Sequence, residues 1–268
     1  VSTITYDTTA GTKASTITAS ALTITSGSTS DINFVMKSAG SALNPNAIGT
    51  SSSRLPGTVT VDNTYGGSTP ASGYVSTSNL STAATASVGV TINNAIYSTK
   101  LVSLKGISYT SQGVNYSAVI NVSAGGVEIT GATYNNYGIY TSNASLITGD
   151  FIDITGRSVV AVGGYIAQIG ALTINSGATG GDITITATGT SARTDNGIYQ
   201  SGAIAATTGT DILFTTNNTI SQVGAITGGN GSNITYTAGG TIAQSGAISL
   251  AANTSGNVAT ITYDTTSG

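Results

Sequence analysis

The sequence predicts an all-β solenoid, a parallel β-helix in which short coils stack on one another. A heptapeptide, I-x-Q-x-G-A-[I/L], occurs four times between residues 166 and 248, at spacings of 32, 22 and 22 residues. A second pattern, [D/N]-I-x-[F/I/Y], keeps step with it, and no apolar stripe has the length of a helix. A period of twenty-odd residues in a chain rich in glycine, threonine and serine is typical of solenoids.

The heptapeptide predicts one column of stacked residues. Its copies are Ile166-Ala-Gln-Ile-Gly-Ala-Leu172, Ile198-Tyr-Gln-Ser-Gly-Ala-Ile204, Ile220-Ser-Gln-Val-Gly-Ala-Ile226 and Ile242-Ala-Gln-Ser-Gly-Ala-Ile248. Burying an unpaired amide is costly, so we expect a corner at each glutamine, with amide-to-amide hydrogen bonds and a glycine in an unusual backbone conformation at 224. The expected structural ladders are those of Ile204, Ile226 and Ile248 and of Gln200, Gln222 and Gln244.

The second pattern predicts the strands of each coil. It occurs as Asp31-Ile-Asn-Phe34, Asp182-Ile-Thr-Ile185, Asp211-Ile-Leu-Phe214 and Asn233-Ile-Thr-Tyr236. Alternation with period two between glycine-rich turns indicates short strands, two or three in each coil of about 22–32 residues. In one coil we expect Ile226, Ile234, Tyr236 and Ile242 to point inward.

Composition limits the core and the partners. Only 6% of the residues are charged and 6% are aromatic, which predicts a narrow aliphatic core. The net charge is −3 and the seven Lys and Arg residues are dispersed, so nucleic acid and membrane insertion are not expected. Cysteine and histidine are absent, and no cofactor or metal motif is found.

One segment occurs twice at a long separation. Thr3-Ile-Thr-Tyr-Asp-Thr-Thr9 returns as Thr260-Ile-Thr-Tyr-Asp-Thr-Thr266, an offset of 257 residues. We predict that residues 1–268 form a single solenoid segment that covers one period of a tandem array. The partner of each unit would then be an adjacent copy of itself. The alternative is that both segments are ordinary coils of a degenerate repeat.

The rhythm is interrupted between residues 38 and 88. This stretch contains all three prolines, Pro45, Pro56 and Pro70, and a run of small residues. Proline cannot donate to a ladder of strands, so we predict an irregular insertion or flank there. It would either carry a binding function or pack against the solenoid.

Three tyrosines follow a turn in separate coils, Tyr97, Tyr140 and Tyr199. Two interpretations remain open: a packed aromatic ladder, or a surface that binds a glycan or a host cell. The close acidic pair beside a base, Asp150 and Asp153 with Arg157, raises a third reading, a polysaccharide lyase-like enzyme. A single loose trio is weak evidence, and we expect a protein that is not an enzyme.

Two runs carry a family resemblance, Gly240-Thr-Ile-Ala-Gln-Ser-Gly-Ala-Ile-Ser-Leu250 and Thr219-Ile-Ser-Gln-Val-Gly-Ala-Ile-Thr227. They resemble the repeats of filamentous-haemagglutinin-like bacterial surface adhesins. The resemblance covers residues 160–268 well, the first 37 residues in part, and residues 38–88 not at all. It implies a right-handed parallel β-helix in an extracellular or cell-surface fibre that serves adhesion or a biofilm matrix. We therefore expect a structural shaft or spacer, without cofactors.

Overall fold

The structure, a computed structural model, confirms the predicted fold class. It describes residues 1–8, 16–25, 30–38, 41–64, 88–141, 145–159, 165–175, 181–189, 196–251 and 259–265. Within these ranges the regular structure is all strand, without a helix, and it forms three parallel sheets stacked as a β-solenoid of about eight turns.

The strands, numbered in chain order, alternate among sheets A, B and C. Sheet A contains β1 (Ser2–Thr8), β3 (Ile32–Ser38), β5 (Val59–Asp62), β8 (Val102–Ser108), β11 (Val127–Thr133), β14 (Ile152–Ser158), β17 (Ile183–Gly189), β20 (Asp211–Thr216), β23 (Asn233–Ala238) and β26 (Ile261–Asp264). Sheet B contains β2 (Thr16–Thr18), β4 (Ala42–Asn44), β6 (Val90–Ile92), β9 (Val114–Tyr116), β12 (Ile139–Thr141), β15 (Ala167–Ile169), β18 (Asn196–Gln200), β21 (Thr219–Gln222) and β24 (Ile242–Gln244). Sheet C contains β7 (Ile96–Ser98), β10 (Val119–Val122), β13 (Leu146–Gly149), β16 (Ala171–Ile174), β19 (Ile204–Ala205), β22 (Ile226–Gly228) and β25 (Ile248–Leu250).

The length of a coil follows from the register of sheet A. Val102 pairs with Val127 and Val127 with Ile152, so each of these coils has 25 residues. The coil from Ile212 to its partner Ile234 has 22 residues. The longest runs from Val59 to its partner Val102 and contains residues 65–87, which lie outside the described residues.

Alternation along the strands sends every second side chain into one continuous core. In β23 the odd members of the pattern are half-buried and the even members, Ile234 and Tyr236 among them, are fully buried. Ile226 is fully buried as well, which confirms three of the four predicted inward positions of that coil. Ile242 is only half-buried, since β24 is the last strand of sheet B. Each fully buried isoleucine contributes about 1.5–3 kcal/mol of transfer free energy.

The irregular stretch predicted at 38–88 is narrower than the prolines suggested. Residues 42–44 form β4, Ile48 bridges to both Leu22 and Ile96, and residues 59–62 form β5. Residues 41–64 are therefore ordinary solenoid coil. Pro45 and Pro56 lie just after β4 and shortly before β5, at corners where a backbone N–H is not required by the ladder.

Turns from sheet C to sheet A repeat as closely as the strands. Gly209 and Gly231 occupy these turns in successive coils, and both have a φ of 73°. The Gly209 N–H donates to the carbonyl of Asn230 at 2.8 Å, which links the two turns. Only glycine adopts this left-handed conformation without a steric cost, so the turns fix the spacing of the 22-residue coils.

Candidate structural ladders and surface sites

The structure places the residues of the two expected ladders in adjacent coils. Ile204 pairs with Ile226 and Ile226 with Ile248 in sheet C. Ile204 and Ile226 are buried, whereas Ile248 is half-buried because β25 is the edge strand of its sheet.

Glutamines from three coils line up in sheet B, with Gln200 opposite Gln222 and Gln222 opposite Gln244. Gln200 and Gln222 are fully buried, and the Gln244 side chain lies at the open edge.

The glutamine amides bond to the backbone of their own motif and not to one another. The Nε2 group of Gln244 donates to the carbonyl of Gly246 at 2.8 Å. Gln222 donates in the same way to Gly224, and Gln200 to Gly202. The expected amide-to-amide bonds are therefore wrong, because the corner after each glutamine brings the carbonyl two residues on within reach of Nε2.

Glycine is required at 224 for space and not for an unusual φ. Gly224 does not adopt the left-handed conformation that the sequence suggested. A Cβ added there would collide with the carbonyl of Gly202, one coil below, and with the Gln200 amide. Successive corners thus touch backbone to backbone.

The first copy of the heptapeptide stacks out of step with the other three. Ala167 pairs with Ile198, so Ile169, and not Gln168, occupies the place of Gln200. Gln168 is half-buried, and its Nε2 donates to the Thr141 carbonyl at 3.0 Å. The register returns at Leu172, which pairs with Ile204. One residue of slip between these points cannot be read from the repeated letters alone.

An aromatic stack runs through the core of the last coils of sheet A. Phe214 and Tyr236 stack with ring centroids 4.9 Å apart, and Tyr236 and Tyr263 stack at 5.2 Å, with nearly parallel rings. Burial raises the pKa of Tyr236, and the neighbouring Tyr263 raises it further. The sequence contained this signal, because each ring holds the last place of a [D/N/T]-I-x-[F/Y] segment.

The last tyrosine of this stack bonds to a glutamine of sheet B. The Tyr263 hydroxyl donates to Gln244 Oε1 at 2.5 Å. One coil earlier the same registers hold Tyr236 and Gln222, whose hydroxyl and Oε1 are buried and have no hydrogen-bond partner in the structure. A further coil back, Phe214 stands in the place of the tyrosine, and Gln200 Oε1 again has no partner.

The three surface tyrosines do not form one ladder. Tyr97 lies in sheet C, whereas Tyr140 and Tyr199 lie in sheet B with Gln168 in the coil between them. The reason is the drift of coil length, which moves residues that follow similar turns onto different sheets.

Each of these tyrosines has a partner that the sequence analysis did not find. Tyr199 stacks on Tyr165 with centroids 4.4 Å apart, and Tyr140 tilts against Tyr137 at 5.3 Å. The Arg54 guanidinium carbon lies 5.5 Å from the centre of the Tyr97 ring. Sugars bind aromatic residues through an exposed ring face, and here a stacked ring or a guanidinium covers one face of Tyr199 and of Tyr97.

The acidic trio of the enzyme reading is dispersed. Asp153 and Arg157 lie on the outer face of β14, four residues and so roughly 13 Å apart along the strand. Asp150 lies in the preceding turn, where its Oδ1 accepts a hydrogen bond from Asn175 at 2.8 Å. Partial burial raises the pKa of Asp153. Within the described residues no cluster of three potential metal ligands is found.

A column of alternating charge occupies the outer face of sheet A in the first coils. It begins with Asp7, whose Oδ2 lies 2.9 Å from Lys37 Nζ. The pairing continues through Asp62 and Lys105. The next five places of the same column are threonines, and the tenth is Asp264. The threonines are Thr130, Thr155, Thr186, Thr215 and Thr237.

The two copies of the long repeat occupy the same columns at opposite edges of sheet A. β1 contains Ile4 and β26 contains Ile261, and strand-to-strand pairing connects these two residues through the whole sheet. The same pairings connect Tyr6 with Tyr263. Each residue of the repeat thus has the same place in its coil.

The fold and these ladders define a parallel β-solenoid repeat protein. Comparison with protein-family profiles, curated proteins and solved structures finds no significant match for this chain. Within the described residues no helix has the length and hydrophobicity needed to cross a membrane.

Proposed function

We propose that this chain is a structural section of an extracellular filament or cell-surface adhesin, in which it acts as a non-catalytic shaft or spacer. The observation that carries the proposal is the shared column of Ile4 and Ile261 in sheet A. Because the repeat returns to the same place in the coil, a 257-residue period contains a whole number of turns. Tandem copies would then stack without a change of phase.

The shaft role is supported by the way in which the coils are joined. Ten strands of sheet A pair without interruption, and a single apolar core runs beneath them. A solenoid of this kind is stabilised by contacts between neighbouring coils, so it can be lengthened by adding coils. The placement on a bacterial surface rests on the resemblance of the Gln-x-Gly-Ala repeats to filamentous-haemagglutinin-like adhesins.

A chain of two periods tests the proposal. Residues 1–257 followed by residues 1–268 should form one rod, longer than the single chain by nine strand spacings, roughly 43 Å. Small-angle X-ray scattering and electron microscopy measure this length. The matched control inserts five residues at position 257, which shifts the phase of the second period. Two separately tumbling bodies in the unmodified two-period chain would contradict the shaft proposal.

A further inference from the structure

The two edge strands of sheet A carry the same residues in the same columns, which gives them interchangeable places. β1 and β26 share the segment Ile-Thr-Tyr-Asp, at residues 4–7 and 261–264. β1 pairs with β3 on one side, and β26 pairs with β23 on the other. A single strand of this sequence therefore fits both neighbours.

The contacts of β26 with β23 depend on residue types that β1 also has. Asn233 Oδ1 accepts hydrogen bonds from the N–H and the hydroxyl of Thr260, at 3.1 and 2.8 Å. Tyr236 stacks on Tyr263. In β1 the equivalent residues are Thr3 and Tyr6, so β1 of a second copy can make both contacts.

The contacts of β1 with β3 are equally available to β26. Tyr6 lies 5.7 Å from Phe34, measured between ring centroids, and Asp7 forms its ion pair with Lys37. Tyr263 and Asp264 hold these places in β26. The open face of β26 is apolar, since Ile261 and Tyr263 are 40% and 50% exposed.

We propose that two copies of this chain join end to end by sharing one strand, which lies between β23 of the first copy and β3 of the second. Residues 261–264 of the first copy or residues 4–7 of the second fill this joint strand. The partner is a second copy of the same chain, and the proposal rests on the proposed shaft function. Parallel pairing on both sides continues all three sheets across the junction.

Cysteine pairs on the intact chain test the junction, because the native sequence has no cysteine. Neighbouring residues on paired strands are separated by about 4.8 Å between Cα atoms, within the range that a disulfide spans. If residues 261–264 fill the joint, a mixture of Lys37→Cys and Asp264→Cys chains forms a disulfide-linked dimer on oxidation. If residues 4–7 fill it, a mixture of Asp7→Cys and Thr237→Cys chains does so.

Two controls fix the interpretation. The double variant Asp7→Cys with Lys37→Cys should close a disulfide within one chain, which shows that neighbouring places in this column can be bridged. A mixture of Lys105→Cys and Asp264→Cys chains should give no dimer, because Lys105 lies in the same column but in the middle of sheet A.

The proposal is overturned if the intramolecular control closes and neither mixture gives more dimer than the Lys105 control. It is supported if either mixture gives the dimer and sedimentation velocity shows that the native chain associates with rising concentration. Failure here leaves the shaft proposal intact if the two-period chain still forms a double-length rod. The two outcomes are therefore distinguishable.

Discussion

The early and late coils of the solenoid have the same backbone but different side-chain ladders. Along the outer face of sheet A the early coils carry charges of alternating sign, beginning with Asp7 and Lys37. The late coils carry threonines in that column, an aromatic stack beneath it, and glutamine corners in sheet B. The difference teaches that inward apolar alternation sets the coil, whereas the outer columns accept any residues that tolerate a neighbour of their kind 4.8 Å away.

The largest expected effect breaks the core that both regions share. Replacing Ile226 with Asp places an unpaired charge at a fully buried position between two coils. We expect a loss of more than about 3 kcal/mol in the free energy of unfolding, measured by urea denaturation. The control, Val223→Asp, changes a residue that is 46% exposed in the same coil and should cost little. Equal losses in the two variants would contradict the inward register.

The second prediction concerns alkaline pH, which acts on buried tyrosines of both regions. Burial raises the pKa of Tyr116 and of Tyr236 above the ordinary value near 10. Above pH 10 the unfolded chain releases these protons and the folded chain keeps them, so stability is full below pH 10 and falls as pH rises. Each tyrosine contributes a slope of about 1.4 kcal/mol per pH unit above that value.

Denaturation at pH 8 to 11 measures this slope. Tyr116→Phe and Tyr236→Phe should each reduce it, whereas Tyr134→Phe, at a half-buried surface position, serves as the control. An unchanged slope in both buried-site variants would contradict the assignment.

A third change should sharpen the comparison by extending the tyrosine–glutamine pair of the late coils. Phe214→Tyr would put a hydroxyl opposite Gln200 Oε1, in the register that Tyr263 and Gln244 already use. We expect a gain of about 1 kcal/mol in the free energy of unfolding, since a buried acceptor without a partner becomes hydrogen-bonded. The matched variant Tyr236→Phe removes a hydroxyl from the next coil and should not stabilise. A loss of stability in Phe214→Tyr would show that the added oxygen finds no partner.

The smallest effect concerns the charged column of the early coils. Lys37 and Asp7 are both partly exposed, so Lys37→Ala should cost less than about 1 kcal/mol, and the cost should shrink at high salt. Thr237→Ala, on the same outer column among the late coils, should show no dependence on salt. Thermal unfolding at low and high ionic strength compares them, and a salt-independent cost for Lys37→Ala would argue against an electrostatic role.

The sequence alone determined the solenoid, its strand pattern and the column partners of the last coils. Period-two alternation and a strict 22-residue spacing leave one way to stack Ile204, Ile226 and Ile248, because any other register would expose the apolar face. It also supplied the 257-residue offset that relates β1 to β26. These features are local patterns, and their spacing is preserved when coils of equal length stack.

Tertiary structure decided what depends on unequal coils and on corner geometry. Coil length changes from 25 to 22 residues, so the slip that puts Ile169 in the glutamine column and the separation of Tyr97 from Tyr140 and Tyr199 follow from pairing and not from motif letters. The bond from Gln222 to the Gly224 carbonyl likewise depends on the path of the chain at the corner. A sequence shows which residues alternate, and only the packed coils show which atoms meet.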